Sequence, residues 1–224
     1  MKAEILEKSF GDRQVLGPIS LTLERGEVLA LTGPSGIGKS TLMRIIAGLD
    51  RNFSGAVAGT GKVAMVFQEP TLLPWRSVLD NILIAAGCTK QVAEHALERV
   101  ELKERQQAFP RQLSLGQQRR VALARALAAK PDTLILDEAF ASLDEATGNR
   151  MRAMVRKILN ESEFQTILVT HSLSDAAELA DRILLLDGTP ASIRLDHSIS
   201  QPAATRDLQE TLADVRRVLQ SGSK

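Results

Sequence analysis

Short apolar runs recur along this 224-residue chain, and most of them are followed by a polar loop and a helical segment. Five runs lack the polar alternation of a half-exposed strand. These predicted strands are GEVLALTG (26–33), KVAMVFQ (62–68), TLILDE (133–138), TILVTH (166–171) and RILLLD (182–187). Continuously apolar strands are typical of a sheet that is covered on both faces.

Helical periodicity fills much of the chain between these strands. The predicted helices are 39–49, 113–129, 145–160 and 174–180. This alternation indicates an α/β fold with a largely parallel sheet. A further helix is predicted at about 205–220, with Leu208, Leu212, Val215 and Leu219 on one face.

Two regions depart from the alternation of strand and helix. Residues 2–25 contain AEILE and ISLTLE, whose alternating polarity predicts a small antiparallel β layer. Residues 77–129 are helical in pattern without an intervening strand, which predicts an inserted helical lobe at about 71–129. We expect a single domain over 1–224, with the β layer and the α/β core at about 1–70 and 130–200.

The composition narrows the possible functions. The net charge is only +1 and aromatic residues make up 3% of the chain, so neither charge nor base stacking favours a nucleic-acid partner. The one cysteine, Cys88, cannot form an internal disulfide and fits a reducing compartment. The sequence has no apolar stretch of about 18 residues and no signal-peptide pattern. We therefore expect a soluble chain that relies on other subunits for any work in a membrane.

The segment GPSGIGKS (33–40) has the spacing of a phosphate-binding loop, between a predicted strand and a predicted helix. Its glycines allow backbone N–H groups to converge on phosphate oxygens, and the helix adds the positive end of its dipole. We expect Lys39 to reach the β- and γ-phosphates and the Ser40 hydroxyl to ligate Mg²⁺. The predicted nucleotide-binding residues are Gly33, Pro34, Ser35, Gly36, Ile37, Gly38, Lys39, Ser40 and Thr41. The flanking strand and helix disfavour a chance glycine-rich turn and favour a P-loop NTPase core.

Four polar residues end predicted strands that follow this loop in the chain. Asp137 is expected to hold Mg²⁺, and the adjacent Glu138 to act as the general base that orients the attacking water. Gln68 and His171 end two further strands, and ligands of open α/β sheets gather at the carboxyl ends of strands. Taken singly, each of these residues is more often a surface or structural residue. Their common placement favours one catalytic site.

The stretch RQLSLGQQRRVALARALA (111–128) begins polar and becomes a helix, with Ser114 at the position of an N-cap. Together with the phosphate loop, it resembles the ATP-binding cassette (ABC) ATPases, because LSLGQ (113–117) is similar to the signature motif LSGGQ of that family. LILDE resembles the second nucleotide motif, and ASLD (141–144) resembles the D-loop, which ends in Asp144. The ordered resemblance extends over residues 3–190.

Three single residues also match the pattern of this family. Gln68 resembles the Q-loop glutamine, which implies a role beside the Mg²⁺, and His171 resembles the catalytic switch histidine. Phe10 falls where the family places an aromatic ring that stacks on adenine. The resemblance thus implies ATP and Mg²⁺ as cofactors and ATP hydrolysis as the reaction.

The resemblance also implies what the signature helix binds. In this family two ATPase domains face each other head to tail, and each ATP lies between the phosphate loop of one domain and the signature helix of the other. By this likeness Ser114 and the amides of Leu115, Gly116 and Gln117 contact the γ-phosphate of the partner's nucleotide. Since this chain has one phosphate loop, a second copy is expected in a homodimer.

Two residues differ from the family pattern. Leu115 stands where the family usually has glycine, and Ala139 stands where importers often have proline. We expect Leu115 to be tolerated if the position is helical, because a negative φ does not require glycine. We expect Ala139 to matter little.

The cellular role is inferred from resemblance alone. The segment TLLPWRSVLDNI (71–82) is similar to importers of nitrate, sulfonates and taurine, in which the lobe forms a groove for a helix of the membrane subunit. Leu72, Leu73 and Trp75 are candidates for that groove, with plain lobe packing the alternative for Trp75. The tail at 200–219 also loosely resembles that subfamily.

A small-solute importer of this kind implies integral membrane permease subunits, a solute-binding protein and a peripheral position on the cytoplasmic face of the inner membrane. Two other classes remain open at this stage. One is the motor of an exporter or lipoprotein-release system, and the other is a non-transport ATPase of DNA repair or translation. The near-neutral charge and the single cassette disfavour the non-transport class.

Overall fold

The computed structural model describes residues 1–201 and 206–222. Its strands are β1 (Lys2–Phe10), β2 (Arg13–Leu16), β3 (Ile19–Thr22), β4 (Val28–Thr32), β5 (Ser54–Ala58), β6 (Val63–Val66), β7 (Thr133–Asp137), β8 (Gln165–Val169), β9 (Arg182–Asp187) and β10 (Ser192–Ser198). Its helices are α1 (Lys39–Ile46), α2 (Val78–Ala86), α3 (Lys90–Arg99), α4 (Leu115–Ala128), α5 (Glu145–Asn160), α6 (Leu173–Leu179) and α7 (Leu208–Gly222).

The larger sheet has the strand order β10-β9-β4-β8-β7-β6. Every pair in it is parallel except β10 with β9, which confirms the prediction of a mostly parallel sheet. Asp137 pairs with Val169, and Thr32 pairs with Leu185. The carboxyl ends of β4, β7 and β8 therefore meet at one edge of the sheet.

The predicted antiparallel layer is also present. Strand β1 pairs antiparallel with β2, β3 and β5. The sequence did not predict β5 or β10. The β5 sequence SGAVA has one large apolar residue, and most of the strand is exposed. In β10 the polar residues of SIRLDHS weaken the alternation that marks a strand.

The lobe consists of α2, α3 and α4 packed on one another, without a strand between 77 and 129. Polar caps set the start of each helix. Ser77 accepts a hydrogen bond from the Asp80 amide at 3.1 Å, and Thr89 accepts one from the Val92 amide at 3.4 Å. Helix α2 ends at Gly87, whose φ of 59° is left-handed.

Two apolar clusters cover the two faces of the larger sheet. Leu134 and Leu136 of β7 belong to the cluster shared with the lobe, α5 and α6. Ile135 of the same strand belongs to the cluster shared with the β layer and α1. Both faces of β7 are buried, which explains why its sequence lacks polar alternation.

The tail forms helix α7, which packs on α6 and β10. Val215 is fully buried, and Leu212 and Leu219 pack against the lobe-side cluster. The fourth residue of the predicted face, Leu208, is 39% exposed, because it is the first residue of the helix. The predicted start at 205 lies outside the described residues.

Candidate functional site

The phosphate loop connects β4 to α1, as the sequence predicted. Gly36 and Gly38 adopt φ angles of 77° and 117°, which other residues rarely adopt. At Gly33 a Cβ atom would lie 2.4 Å from the carbonyl oxygen of Leu186, so the close approach of two backbones also requires glycine. Lys39 donates from Nζ to the carbonyl oxygen of Gly33 at 2.8 Å. The loop is therefore shaped by its glycines and held by its own lysine.

The acidic pair lies at the carboxyl end of β7. Glu138 has a left-handed φ of 49°, and its amide donates to the carbonyl of Val169 at 3.0 Å. This sharp turn directs Asp137 and Glu138 toward one cavity although they are neighbours in the chain. His171 lies with Nε2 3.0 Å from Oε1 of Glu138. The turn and the histidine together fix the carboxylate.

Burial shifts the ionisation of this site. Desolvation lowers the pKa of Lys39, opposed by the charges of Glu138 and Asp137. Desolvation also raises the pKa of Asp137, with a further rise from Glu138 and opposition from Lys39 and Arg44. A cation and two carboxylates thus share a partly dry space, where charge–charge interactions are stronger than in water.

These groups line a cavity of about 420 Å³. Ten of the predicted site residues contribute to it: Phe10, Ser35, Gly36, Gly38, Lys39, Ser40, Thr41, Asp137, Glu138 and His171. Gly33, Pro34 and Ile37 belong to the same loop but do not line the cavity. Lys39 donates to the carbonyl of Pro34 at 3.0 Å, and the Ile37 amide donates to the same carbonyl at 3.3 Å, so Pro34 braces the loop.

Three lining residues, Arg13, Val15 and Val169, were not among the candidates from the sequence. Arg13 and Val15 lie on β2, which returns beside β1 after a turn at Gly11 with a φ of 58°. Phe10 and Arg13 are direct partners across this hairpin. The glycine between two alternating segments was the available signal for such a hairpin. It would have paired Arg13 with Phe10 across the two strands.

The predicted cap of α4 is present. The Ser114 hydroxyl accepts from the Gln117 amide at 3.3 Å, and Oε1 of Gln117 accepts from the Ser114 amide at 3.0 Å. This reciprocal pair is a capping box. Leu115 is the first helical residue and is 43% exposed, so the condition under which leucine is tolerated there is met. Gly116 is buried against Thr147 of α5.

Three predicted elements do not line the cavity. Gln68 is exposed, two residues beyond the end of β6. The segment 114–117 also lies outside the lining residues. Asp144 instead caps α5, accepting from the Thr147 amide at 2.9 Å, and its hydrogen bonds with Thr147 lower the pKa of its carboxyl. One subunit therefore brings together the phosphate loop, the acidic pair and His171, without the signature helix.

A strand, a glycine-rich loop with lysine and a helix, beside an acidic strand end of a parallel sheet, define a phosphate-loop nucleoside triphosphatase. Among the residues that the structure covers, none forms a helix with the length and apolarity to cross a membrane.

Residues 16–141 match the ABC transporter family. The chain is 44% identical over 189 residues to the aliphatic sulfonates import ATP-binding protein SsuB of Corynebacterium glutamicum, covering 81% of this chain and 78% of that protein. It is also 44% identical over 197 residues to SsuB 1 of Rhodococcus jostii, covering 84% and 80%. The chain belongs to the ABC transporter family, and it is an ATP-binding subunit that hydrolyses ATP.

Solved structures agree with this assignment. An ATP-binding cassette in a dimeric post-hydrolysis state, bound to ADP and Pi, superposes with a TM-score of 0.75 and 25% identity. The match covers 90% of this chain and all of that one. An ATP-binding subunit of an ABC transporter superposes with a TM-score of 0.76 at 22% identity, covering 96% and 98%, and supports the fold.

Proposed function

We propose that this chain is the motor subunit of a bacterial small-solute importer, in which two copies close on ATP and drive integral membrane permease subunits. The sulfonate import proteins among its relatives support the importer class over the exporter and non-transport classes. They also make aliphatic sulfonates the first substrates to test. The solute-binding protein and the position on the cytoplasmic face of the inner membrane belong to the same proposal.

Binding begins at the phosphate loop. Its backbone amides and Lys39 hold the β- and γ-phosphates, while the exposed ring of Phe10 stacks on the adenine. Lys39 exchanges its two carbonyl partners within the loop for phosphate oxygens. That exchange favours a triphosphate, because its charge offsets the desolvation of the ammonium.

The donor set beside the loop fits Mg²⁺. The Ser40 hydroxyl and the Asp137 carboxylate line the same cavity, and oxygen donors of these types are those that Mg²⁺ prefers. When bound, the ion would neutralise charge on the β- and γ-phosphates. Gln68 would complete the set only after the exposed segment that follows β6 moves toward the cavity.

Glu138 is the general base in this proposal. Its carboxylate accepts a proton from the water that attacks the γ-phosphorus, and the bond from that phosphorus to the bridging oxygen of ADP breaks. His171 holds the carboxylate through the 3.0 Å contact and, as a residue of the same cavity lining, contacts the γ-phosphate in this proposal. The contact between Glu138 and His171 in the lining of the cavity is the observation that carries this role.

The signature helix completes the site of the other subunit. Ser114 and the amides of Leu115, Gly116 and Gln117 form a capped helix N-terminus outside the lining of their own cavity. Such an end attracts an anion, here the γ-phosphate held by the partner. Asp144 marks the D-loop at the same interface. Hydrolysis removes the γ-phosphate contacts that bridge the subunits, and the dimer reopens.

Trp75 is the proposed contact with the permease. The indole is 69% exposed, whereas Leu72 packs on the core of the lobe, so exposure favours docking over lobe packing. The turn is rigid because buried Asn81 accepts from the Leu73 amide at 2.7 Å and donates to the Leu73 carbonyl at 3.1 Å. An exposed aromatic side chain on a braced turn is a suitable anchor for a helix of a membrane subunit.

The substitution Glu138→Gln tests this function. It keeps the shape of the side chain but removes the base, so hydrolysis should be lost while ATP closes the dimer. Sedimentation of concentrated protein with Mg²⁺ and ATP should then show a stable dimer. A variant that remains monomeric under these conditions would contradict the proposed interface. The wild-type chain with ADP is the control, and it should not show the stable closed dimer.

A further inference from the structure

A buried lysine lies behind the proposed adenine platform. Lys8 is on β1, two residues before Phe10, and is only 2% exposed. Its Nζ lies over the ring of Phe10, 4.4 Å from the centroid. Phe10 lines the nucleotide cavity and is half exposed, so the cation occupies one face of the ring while the ring remains accessible from the cavity.

The ammonium is fixed by three oxygen contacts. Nζ donates to Oδ1 of Asp50 at 3.0 Å and to the Asn52 carbonyl at 2.7 Å, and it pairs with Oδ2 of Asp50 at 2.7 Å. The hydrogen bond from Lys8 lowers the pKa of the Asp50 carboxyl, which favours the carboxylate. A buried charge with this many partners has little freedom to move.

The Lys8–Asp50 pair connects the base end of the nucleotide site to its phosphate end. Asp50 follows α1, and its amide donates to the carbonyl of Arg44 at 3.1 Å in the last turn of that helix. The same helix begins with Lys39 of the phosphate loop. The contacts of Lys8 with Asp50 and Phe10 therefore join the strand that carries the ring to the helix that carries the loop.

We propose that Lys8 is a positioning residue for the nucleotide base, which sets the ring of Phe10 and polarises it for stacking. The cation attracts the electron density of the face that it covers, which leaves the accessible face poorer in electrons. An electron-rich purine stacks more strongly on such a face. This inference rests on the proposed stacking of adenine on Phe10.

Lys8 touches the ring of Phe10 directly, whereas it is connected to the phosphate loop only through Asp50 and helix α1. Nothing in the contacts of Lys8 reaches the residues of the phosphate loop directly. The substitution Lys8→Met should therefore weaken the binding of ATP but not the binding of inorganic tripolyphosphate, which has no base. Because Lys8 strengthens the stacking and does not itself contact the base, the Kd for ATP should rise by about two- to ten-fold, at most the worth of one aromatic pair.

The test measures the Kd of ATP and of tripolyphosphate by calorimetry, in the wild-type chain and in Lys8→Met. The matched control is Lys2→Met on the same strand, where an exposed lysine pairs with Glu4, and neither Kd should change. Lys8→Arg keeps the cation and should restore ATP binding. Asp50→Asn keeps Lys8 but removes the charge that holds it in place. This variant should weaken the binding of ATP, though less than Lys8→Met, and leave the binding of tripolyphosphate unchanged. It tests the proposal even if Lys8→Met does not fold.

A second background separates this proposal from the stacking role. Phe10→Leu should weaken the binding of ATP but not that of tripolyphosphate. Adding Lys8→Met to this variant should not change either Kd further. If Phe10→Leu leaves the Kd of ATP unchanged, the stacking role fails and the proposal for Lys8 falls with it. Two results would overturn only the proposal for Lys8, provided that Phe10→Leu weakens the binding of ATP. In the first, Lys8→Met leaves the Kd of ATP unchanged. In the second, Lys8→Met weakens the binding of ATP and of tripolyphosphate equally.

Discussion

The substitution Gly116→Ala tests how closely the signature helix packs on the helix after the D-loop. A Cβ atom added at Gly116 would lie 2.9 Å from Cγ2 of Thr147, closer than side-chain carbons normally approach. Thr147 is β-branched and lies in the first turn of α5, so its methyl group cannot easily rotate away. The two helices would have to separate slightly.

Two opposing effects determine how much Gly116→Ala changes the free energy of unfolding. Alanine is a better helix former than glycine by up to about 1 kcal/mol. Crowding a well-packed contact costs about 1–3 kcal/mol. We expect crowding to prevail, with a net loss of about 1 kcal/mol and a fall in Tm of about 2–4 °C for a chain of this size.

Chemical denaturation of the single and double variants provides the assay. Thr147→Ser removes the crowding methyl group but keeps the hydroxyl that lies beside Asp144. In that background Gly116→Ala should no longer destabilise the protein, and the coupling energy should be about 1–2 kcal/mol. If Gly116→Ala stabilises the wild-type chain, or if Thr147→Ser does not rescue it, the described contact is not tight and the reasoning fails.

Four further predictions follow from the same contacts. Ser114→Ala removes the cap of α4 and should cost about 1 kcal/mol in denaturation, whereas Ser114→Asp keeps the cap but should abolish ATP turnover by repelling the partner's γ-phosphate. Leu115→Gly should change turnover less than about tenfold, because the position is already helical. Burial raises the pKa of Asp137, so this carboxyl contributes stability that is lost as the pH rises above the ordinary value of 3.8, and in thermal scans the stability of Asp137→Asn relative to the wild-type chain should rise over that interval. Arg152→Met leaves the buried carboxylate of Asp175 without its ion pair and should cost about 3 kcal/mol in denaturation.

Each of these four predictions would be contradicted by a specific result. An active Ser114→Asp variant would remove the signature helix from the site, and a gain of orders of magnitude in Leu115→Gly would show that leucine hinders closure. A pH profile shared by the wild-type chain and Asp137→Asn would show that this carboxyl does not control acid stability. A fully stable Arg152→Met variant would mean that its carboxylate partners are solvated.

The main sheet could be predicted from the sequence because both of its faces are buried. Continuous apolar runs such as TLILD mark strands regardless of the face to which each side chain points. Strand β5, with the sequence SGAVA, was missed because its pairing with β1 comes from backbone hydrogen bonds and not from apolar side chains. Strand pairing of that kind leaves little trace in the pattern.

The candidate site was predictable where its geometry is local. The phosphate loop carries its own glycines, and the Asp137–Glu138 pair carries its own turn. Lys8 was not predictable, because its contacts depend on a loop more than 40 residues away, and Arg13 could be placed only by reading Gly11 as the turn of a hairpin. A lysine in a charged N-terminal segment is normally exposed, and only the fold buries it.

The central claim is that one triphosphate is held by the phosphate loop of one subunit and the signature helix of another. The most direct test mixes two chains that lack Cys88, one with Ser35→Cys in the phosphate loop and one with Leu115→Cys at the exposed start of α4. Oxidation with Mg²⁺ and ATP should give a covalent dimer of the two chains, and neither variant alone should give one. Crosslinking that occurs equally without nucleotide, or no crosslinking in the mixture while both variants still bind ATP, would contradict the claim.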